Sequence, residues 1–413
     1  MKNIEVVFFD AGGGHRSAAI ALRDAMRLEN RPWRVELVNL QHVLERYDPV
    51  RMTTGVYSQE IYNWSLRRGW TRAASHALPA VHGIIRLLHP AFVKELREFW
   101  IARRPDLVVS VIPHYNRALF ESLSSVLPAT AFLTVMTDLA DHPPHFWLER
   151  QNQHFVCGSD RAIDQGLGLG IPREKLWRVS GMPVHPRFYE SFNMDRAEAR
   201  AQLGLDPYTP TGLVLFGGYG SALMTQILER MSEVTVPVQL IFLCGRNAHL
   251  ASNLQAAKSK TRRVVKTFTE DVAGYMRLSD FFIGKPGPGC VSEALVMGLP
   301  VIVERNARTM VQERYTCEWL AQQGAGIVID SFARIGEAVT RLLEAEVYAA
   351  FGASIAGLNN HAVFEITSII EQMLDVSDVP VPPPVLSLPN GAGARSSFAR
   401  PLDTSLGPDR RRH

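Results

Sequence analysis

Lys285 and Glu293 bracket a run rich in glycine and proline, Gly284-Lys285-Pro286-Gly287-Pro288-Gly289-Cys290-Val291-Ser292-Glu293-Ala294. An apolar stretch precedes it and a helix-compatible one follows, so the run stands where a strand turns into a helix. The amides and positive dipole of such a helix start suit an anionic phosphate. Lys285 can offset phosphate charge, and Glu293, about one turn in, can accept hydrogen bonds from sugar hydroxyls. A second turn, Gly217-Gly218-Tyr219-Gly220, has the same setting. Its amides can hold a diphosphate without a metal. A third, Gly12-Gly13-Gly14-His15, lets the backbone approach a ligand closely. His15 stands at its mouth, beyond the carboxyl end of a strand, where it can accept a proton near neutral pH. The third turn lacks both the dinucleotide fingerprint and the Gly-Lys-Ser/Thr ending of a P-loop.

Thr137-Asp138-Leu139-Ala140-Asp141-His142-Pro143-Pro144-His145 follows another strand. Its two carboxylates and two histidines have metal-ligand chemistry, but the Pro-Pro pair argues against their convergence. Asp138, at the strand end, is the better base or orienter for an acceptor hydroxyl. Gln312 and Glu313 open a further expected helix, where an amide and an acid can hold sugar hydroxyls. Plainer roles stand beside these: helix capping for His15, a loop cap for Asp138, an ordinary tight turn for Gly217 to Gly220.

The elements needed to position these residues form a βα repeat. Strands are expected at 4–9, 35–40, 107–111, 131–137 and 153–157, then at 213–216, 240–244, 264–268, 280–283, 301–303 and 325–329. Helices are expected at 17–27, 222–228, 335–343 and 362–374. The pattern implies two α/β units with layers on both sheet faces and a ligand between them. Residues 50–104 break it with aromatic and apolar residues at roughly helical spacing, among them Tyr57, Tyr62, Trp64, Trp70, Phe92 and Trp100. They read as an inserted helical segment. It either packs into the core or, backed by Arg67, Arg68, Arg72 and Arg86, forms an interfacial membrane patch.

The 413 residues, 46% hydrophobic, are enough for two cores and argue against general disorder. Four widely spaced cysteines form neither a disulfide framework nor a Cys-x-x-Cys pair, which points to a reducing cytosol. No signal peptide and no membrane-spanning apolar run is expected. The net charge of +3 is unevenly spread: residues 61–104 carry eight Lys or Arg against two Glu. That basic stretch points to an anionic partner or surface. With no stacking module or zinc motif, nucleic acid is not the expected partner. The Pro-, Gly- and Ser-rich stretch 379–413 reads as a flexible tail.

Taken together, Gly12-Gly13-Gly14-His15-Arg16-Ser17-Ala18, Gly181-Met182-Pro183-Val184, Gly217-Gly218-Tyr219-Gly220, Lys285 to Gly289 with Glu293-Ala294-Leu295, Gly298-Leu299-Pro300-Val301-Ile302 and Gln312-Glu313 resemble a known group. It is the monogalactosyldiacylglycerol synthases, MurG-like members of glycosyltransferase family 28. The resemblance implies a GT-B fold, two Rossmann-like domains facing across a cleft. It places an acceptor- and membrane-binding domain at 1–185 with the helical insertion at about 50–104. A link at 186–210, a nucleotide-sugar domain at 211–345 and C-terminal helices at 346–378 follow, the last helix packing back on the first domain. It implies an inverting transferase moving galactose or glucose from a UDP-sugar to diacylglycerol or a related lipid, with no required metal or cofactor. The enzyme would sit peripherally on the cytoplasmic side of an anionic membrane. His15 and Asp138 would be catalytic. Gly14, Gly217, Gly218, Gly220, Phe268, Lys285, Gly287, Pro288, Gly289, Cys290, Glu293, Gln312 and Glu313 would bind the donor. The chain departs from the pattern at Cys290, where a threonine is usual, and in the charged stretch Glu304-Arg305-Asn306-Ala307-Arg308. Those departures leave open the sugar and the lipid. The alternatives are an N-acetylglucosamine transferase or 2-epimerase-like enzyme on the same fold, and a non-enzymatic membrane or nucleotide-binding module.

Overall fold

Short apolar runs bounded by glycine turns build two parallel sheets, each with helices on both faces. The computed structural model describes residues 1–10, 13–47, 51, 71–142, 145–191 and 195–377. Strands β1 (Lys2–Phe8), β2 (Trp33–Asn39), β3 (Leu107–Ser110), β4 (Ala131–Val135), β5 (His154–Cys157) and β6 (Leu176–Arg178) pair in the order β2-β1-β3-β4-β5-β6. Strands β7 (Thr211–Leu215), β8 (Gln239–Leu243), β9 (Arg263–Lys266), β10 (Phe281–Gly284), β11 (Val301–Glu304) and β12 (Gly326–Ile329) pair as β12-β11-β10-β7-β8-β9. Burial on both faces explains the near-continuous Val, Ile, Leu and Phe of the central strands, because a parallel sheet has no wet side. The sequence places most of these strands within two residues. It misses β6, whose Leu176-Trp177-Arg178 is too short and too mixed to announce itself.

In each sheet the strand order reverses once, between β1 and β3 and between β7 and β10. At a reversal, consecutive helices leave to opposite faces and a crevice opens beyond the carboxyl ends of the strands. The four loops at the two reversals are the Gly13-Gly14-His15 turn, Val111 to Tyr115, the Gly217 turn and the Lys285 turn. The chain therefore delivers each chemistry-bearing segment to one of two crevices.

The helix Gly14–Leu28 follows β1 and buries Ala18, Ala19, Leu22, Ala25 and Met26. The same core cluster takes Ile4 and Val6 from β1 and Val363, Ile366 and Ile370 from the helix Ala362–Ser377. After completing the second sheet, the chain thus returns to the first; Glu365 there accepts a bond from the Ser180 amide at 2.7 Å.

The opposite face of the first sheet is covered by the helices Thr71–Arg103 and Asn116–Val126. Phe92, Leu96 and Trp100 are buried there, and the Trp100 indole N–H donates to Ser122 Oγ at 2.9 Å. Further up the same helix, Ile84 is 45% and Leu87 79% exposed. The segment is core on one side and unburied apolar surface on the other. Tyr57, Tyr62, Trp64, Arg67, Arg68 and Trp70 lie outside the described residues, as do the side chain of Arg72 and the stretch 379–413.

Phe188, Ala199 and Leu205, in the stretch read as a link, belong to the core of the second sheet. Arg200 anchors it. Its buried guanidinium donates to Asp280 Oδ2 at 2.6 Å, to the Leu278 carbonyl at 2.9 Å and to the Pro207 carbonyl at 3.2 Å. Without Arg200, Asp280 keeps the Arg196 guanidinium and the Thr211 amide, while the Leu278 and Pro207 carbonyls lose their donor. Arg200→Ala is expected to destabilise the protein by about 2 kcal/mol, read as a lowered urea midpoint. A midpoint within experimental error of the parent would contradict this anchoring role.

Candidate active site

His15 is the second residue of the helix Gly14–Leu28, whose start is capped by Gly13 in the left-handed region at φ 85°. Its Nδ1 lies 2.9 Å from the Val111 carbonyl and 3.0 Å from Thr137 Oγ1. A carbonyl only accepts, so Nδ1 carries the proton and Nε2 keeps its lone pair. β1 and β3 are neighbours in register, with Val7 opposite Ser110, which brings Val111 within reach of the His15 turn. Burial disfavours the charged ring and lowers its pKa to about 4, although the Val111 bond acts in the other direction. His15 is therefore a neutral imidazole at any ordinary working pH, its Nε2 without a hydrogen-bond partner among the described residues.

Asp138 lies beyond the end of β4. Its Oδ2 accepts the Trp147 indole N–H at 2.9 Å, and the Trp147 ring stands 5.9 Å, centroid to centroid, from that of His15. Trp147 is buried and contacts both groups. Desolvation pushes the Asp138 carboxyl up to about 7, against the bond from Trp147; Glu313 raises it further and Lys285 lowers it. Those last two belong to the second sheet's domain, so the Asp138 loop faces the Lys285 turn across the cleft. Burial lowers the His142 pKa, and Arg314 of the second domain adds to that. A cavity of about 270 Å³ lies between the domains, lined by Leu139, Gly181, Met182, Ser292, Leu295 and Trp319 among others. Asp141 has a separate task. Its Oδ1 accepts the Trp147 amide at 2.7 Å and its own amide donates to Gln165 Oε1 at 2.8 Å, so it braces the loop. Among the described residues, no three His, Cys, Asp or Glu side chains are grouped to hold a metal ion.

On the other side, Lys285 Nζ donates to Glu313 Oε1 at 2.9 Å. β10 and β7 run in register, Gly284 opposite Leu215, so the Lys285 and Gly217 turns leave the sheet side by side. Gly217 has φ 75°, and a Cβ built on it would stand 3.7 Å from Lys285 Cε; one on Gly287 would stand 3.3 Å away. Gly14, Gly218 and Gly289 differ: a Cβ on any of them would meet nothing within 4 Å. Main chain is bare at these points. The helix Pro288–Val296 starts with Pro288 at its first position, leaving the Gly289 and Cys290 amides at its mouth. Gly220 is closed off instead by Leu250 and the Cys244 carbonyl.

Glu293 is half-buried, and its carboxyl group has no hydrogen bond among the described residues; desolvation pushes it up to about 7, and Arg187 opposes that. Burial raises the Cys290 thiol to about 12, so it is a neutral group at this site. Gln312 and Glu313 form a short 3₁₀ turn, Val311–Glu313, ahead of the helix Arg314–Gln322. Gln312 Nε2 hydrogen-bonds to Met310 Sδ at 3.9 Å, and Glu313 is buried. Phe268, beyond β9, is 53% exposed and carries the Arg246 guanidinium 5.1 Å from its ring centre. The charged stretch from Glu304 is occupied structurally: Glu304 accepts the Phe332 amide, Arg305 pairs with Glu318, and Asn306 braces Thr309 and Asp330. Sequence reading singles out the glycines, His15, Asp138 and Lys285, and the structure brings them to the two crevices. Sequence has no signal for Trp147, Arg187 or the Val111 carbonyl, whose roles come from distant neighbours.

Two facing Rossmann-like domains, with phosphate-type turns on one and a histidine–aspartate pair on the other, define a GT-B glycosyltransferase. Residues 15–184 match the model of the monogalactosyldiacylglycerol (MGDG) synthase family and residues 213–347 that of the glycosyltransferase family 28 C-terminal domain. The probable monogalactosyldiacylglycerol synthase 2, chloroplastic, of Oryza sativa subsp. indica is 30% identical over 342 residues, covering 79% of this chain and 70% of that protein. Monogalactosyldiacylglycerol synthase 3, chloroplastic, of Arabidopsis thaliana is 28% identical over 341 residues, covering 79% and 71%. The crystal structure of Acinetobacter baumannii MurG superimposes with a TM-score of 0.57 at 12% identity, over 90% of this chain and all of that one. The chain belongs to the monogalactosyldiacylglycerol synthase family.

The hydrogen bond to Val111 has a direct readout. In a ¹⁵N-resolved titration His15 is expected as the Nδ1–H tautomer, with a midpoint of about 4. The opposite tautomer, or a midpoint near the ordinary 6.5, would show that the ring is not held this way.

Proposed function

We propose that this enzyme transfers galactose from UDP-galactose to the free hydroxyl of diacylglycerol at an anionic membrane surface, with inversion. The single observation that carries the chemistry is the open His15 Nε2 on the acceptor side, its other nitrogen fixed by Val111, with Asp138 between it and the Lys285–Glu313 pair. The likeness to the synthases supports galactose and diacylglycerol over glucose or another lipid.

In this reading the bare main chain at Gly218 and Gly289, the Gly217 turn and the Cys290 amide cradle the diphosphate, and Lys285 offsets its charge. Gly287 and Pro288 shape the turn that lets them approach. Glu293 takes the ribose, Gln312 and Glu313 the hexose hydroxyls, and the exposed Phe268 ring offers a stacking face for the base. Gly14 keeps the acceptor side open beside His15. The acceptor oxygen bonds to the anomeric carbon as the bond from that carbon to the β-phosphate oxygen breaks. The hydroxyl proton passes to His15 Nε2, and the electron pair leaves with UDP. Asp138, as carboxylate, stabilises the imidazolium that forms. Charge gathering on the departing diphosphate meets the turn amides, which need no reorganisation to receive it.

Ile84 and Leu87, exposed beside Arg86, suit an apolar, cationic docking face for the bilayer. No described helix is long and apolar enough to cross a membrane. We place the enzyme peripherally, on the cytoplasmic face.

A donor screen with diacylglycerol in anionic liposomes should yield a β-galactolipid from UDP-galactose; no glycolipid from UDP-galactose, UDP-glucose or UDP-N-acetylglucosamine would sink the reading. His15→Ala should lower kcat by about 10²- to 10⁴-fold while UDP affinity stays within about two-fold. Unchanged turnover would remove His15 from the chemistry. Asp138 is ionised above about pH 7, so turnover should climb with pH through that value. Asp138→Asn should lose the climb; if the same limb persists in that variant, another group is responsible.

A further inference from the structure

A pair of histidines stands near His15 and is unused by the reaction as derived. His114 follows β3 at the same reversal of strand order, three residues beyond Val111. Its Nδ1 lies 2.7 Å from Nε2 of His82, on the long helix Thr71–Arg103, with ring centroids 4.6 Å apart. The ring is wedged against the Phe146 edge at 4.0 Å, and the His114 amide donates to the Phe146 carbonyl at 2.7 Å. His114 holds φ 68°, the left-handed region, which a side chain other than glycine enters at some cost. Nε2 of His114 has no partner among the described residues. Both rings are held neutral: desolvation lowers each, His114 to about 3, with His82, His15 and His142 adding to the effect on His114.

A neutral pair shares a single proton between the facing nitrogens. If His82 Nε2 carries it, His114 must carry its own proton on Nε2 and present a donor to the acceptor crevice. The acceptor decides which tautomer is useful. Diacylglycerol has one hydroxyl, which the reaction commits to His15. Its other polar atoms are ester oxygens, and these only accept.

We propose that His114, oriented by His82, donates from Nε2 to an ester carbonyl of the lipid acceptor and makes the enzyme select diacylglycerols over their dialkyl ether analogues. The proposal rests on the glycerolipid-acceptor reading above. It assigns His114 to substrate selection and His82 to positioning.

The test compares 1,2-dioleoylglycerol with the corresponding dioleyl ether glycerol in anionic vesicles of fixed composition at saturating UDP-galactose. In the parent enzyme KM should be about five-fold lower for the ester, the worth of one neutral hydrogen bond, with kcat within about two-fold. His114→Phe should raise the ester KM to the ether value, the loss falling on KM and not kcat. His82→Phe should shift it in the same direction by a smaller factor. Unchanged UDP affinity and melting temperature show that the variants are folded; should His114→Phe not fold, the parent comparison and His82→Phe decide. Equal KM values for the two lipids in the parent, or an ester preference surviving in His114→Phe, would overturn the assignment while leaving the transferase reading intact. Absence of transfer to either lipid by the parent would instead overturn the acceptor reading, and this inference with it.

Discussion

The hydrogen bond from His15 Nδ1 to the Val111 carbonyl is the contact on which the site's chemistry turns. It fixes which nitrogen is protonated, and so which can receive a proton. It exists because β1 and β3, separated by about a hundred residues of sequence, are sheet neighbours in a fixed register. A slip of that register would carry the carbonyl away from the ring. The main chain, not a second carboxylate, orients this histidine. Its low pKa follows: a carbonyl offers less to an imidazolium than a carboxylate would, and burial dominates.

The donor side is built on the opposite principle. Lys285 and Glu313 hold a charge pair over glycine turns whose main chain faces open space. The pair keeps Lys285 over those turns before any phosphate arrives, at the cost of an interaction that an incoming diphosphate must share. Its two charges also act on Asp138 in opposing directions across the cleft, so the Asp138 carboxyl feels the state of the Lys285 turn. Anything that engages Lys285 elsewhere leaves the Glu313 charge less opposed and favours protonated Asp138. The two half-sites are thereby linked through charge alone.

One helix connects this chemistry to the surface. Along Thr71–Arg103, Phe92, Leu96 and Trp100 anchor one face in the core, His82 points to His114, and Leu87 remains exposed. The helical repeat of 3.6 residues permits all three, since successive residues point in different directions. An apolar patch beside the acceptor crevice is a costly feature in water and a useful one where the substrate is dissolved in lipid.

Much of the architecture was legible from residue order. The buried strands announce themselves as apolar runs, and the glycine turns mark where each must end, because only there can main chain fold tightly and meet a ligand. His15, Asp138 and Lys285 stand out in the sequence for the same reason: each follows a strand end, and an open parallel sheet puts its crevice there. What sequence could not supply was adjacency. Trp147 joins Asp138 to His15, Arg187 faces Glu293, and His82 meets His114 across 32 positions. The charged stretch from Glu304 departs from the family pattern, and its hydrogen bonds to Phe332, Glu318 and Asp330 give it a structural task that residue order does not show. Local sequence sets backbone preference and burial pattern, which are short-range properties. Tautomer, desolvation and pairing depend on which distant groups the sheet order brings within about 3 Å, and only the folded chain decides that.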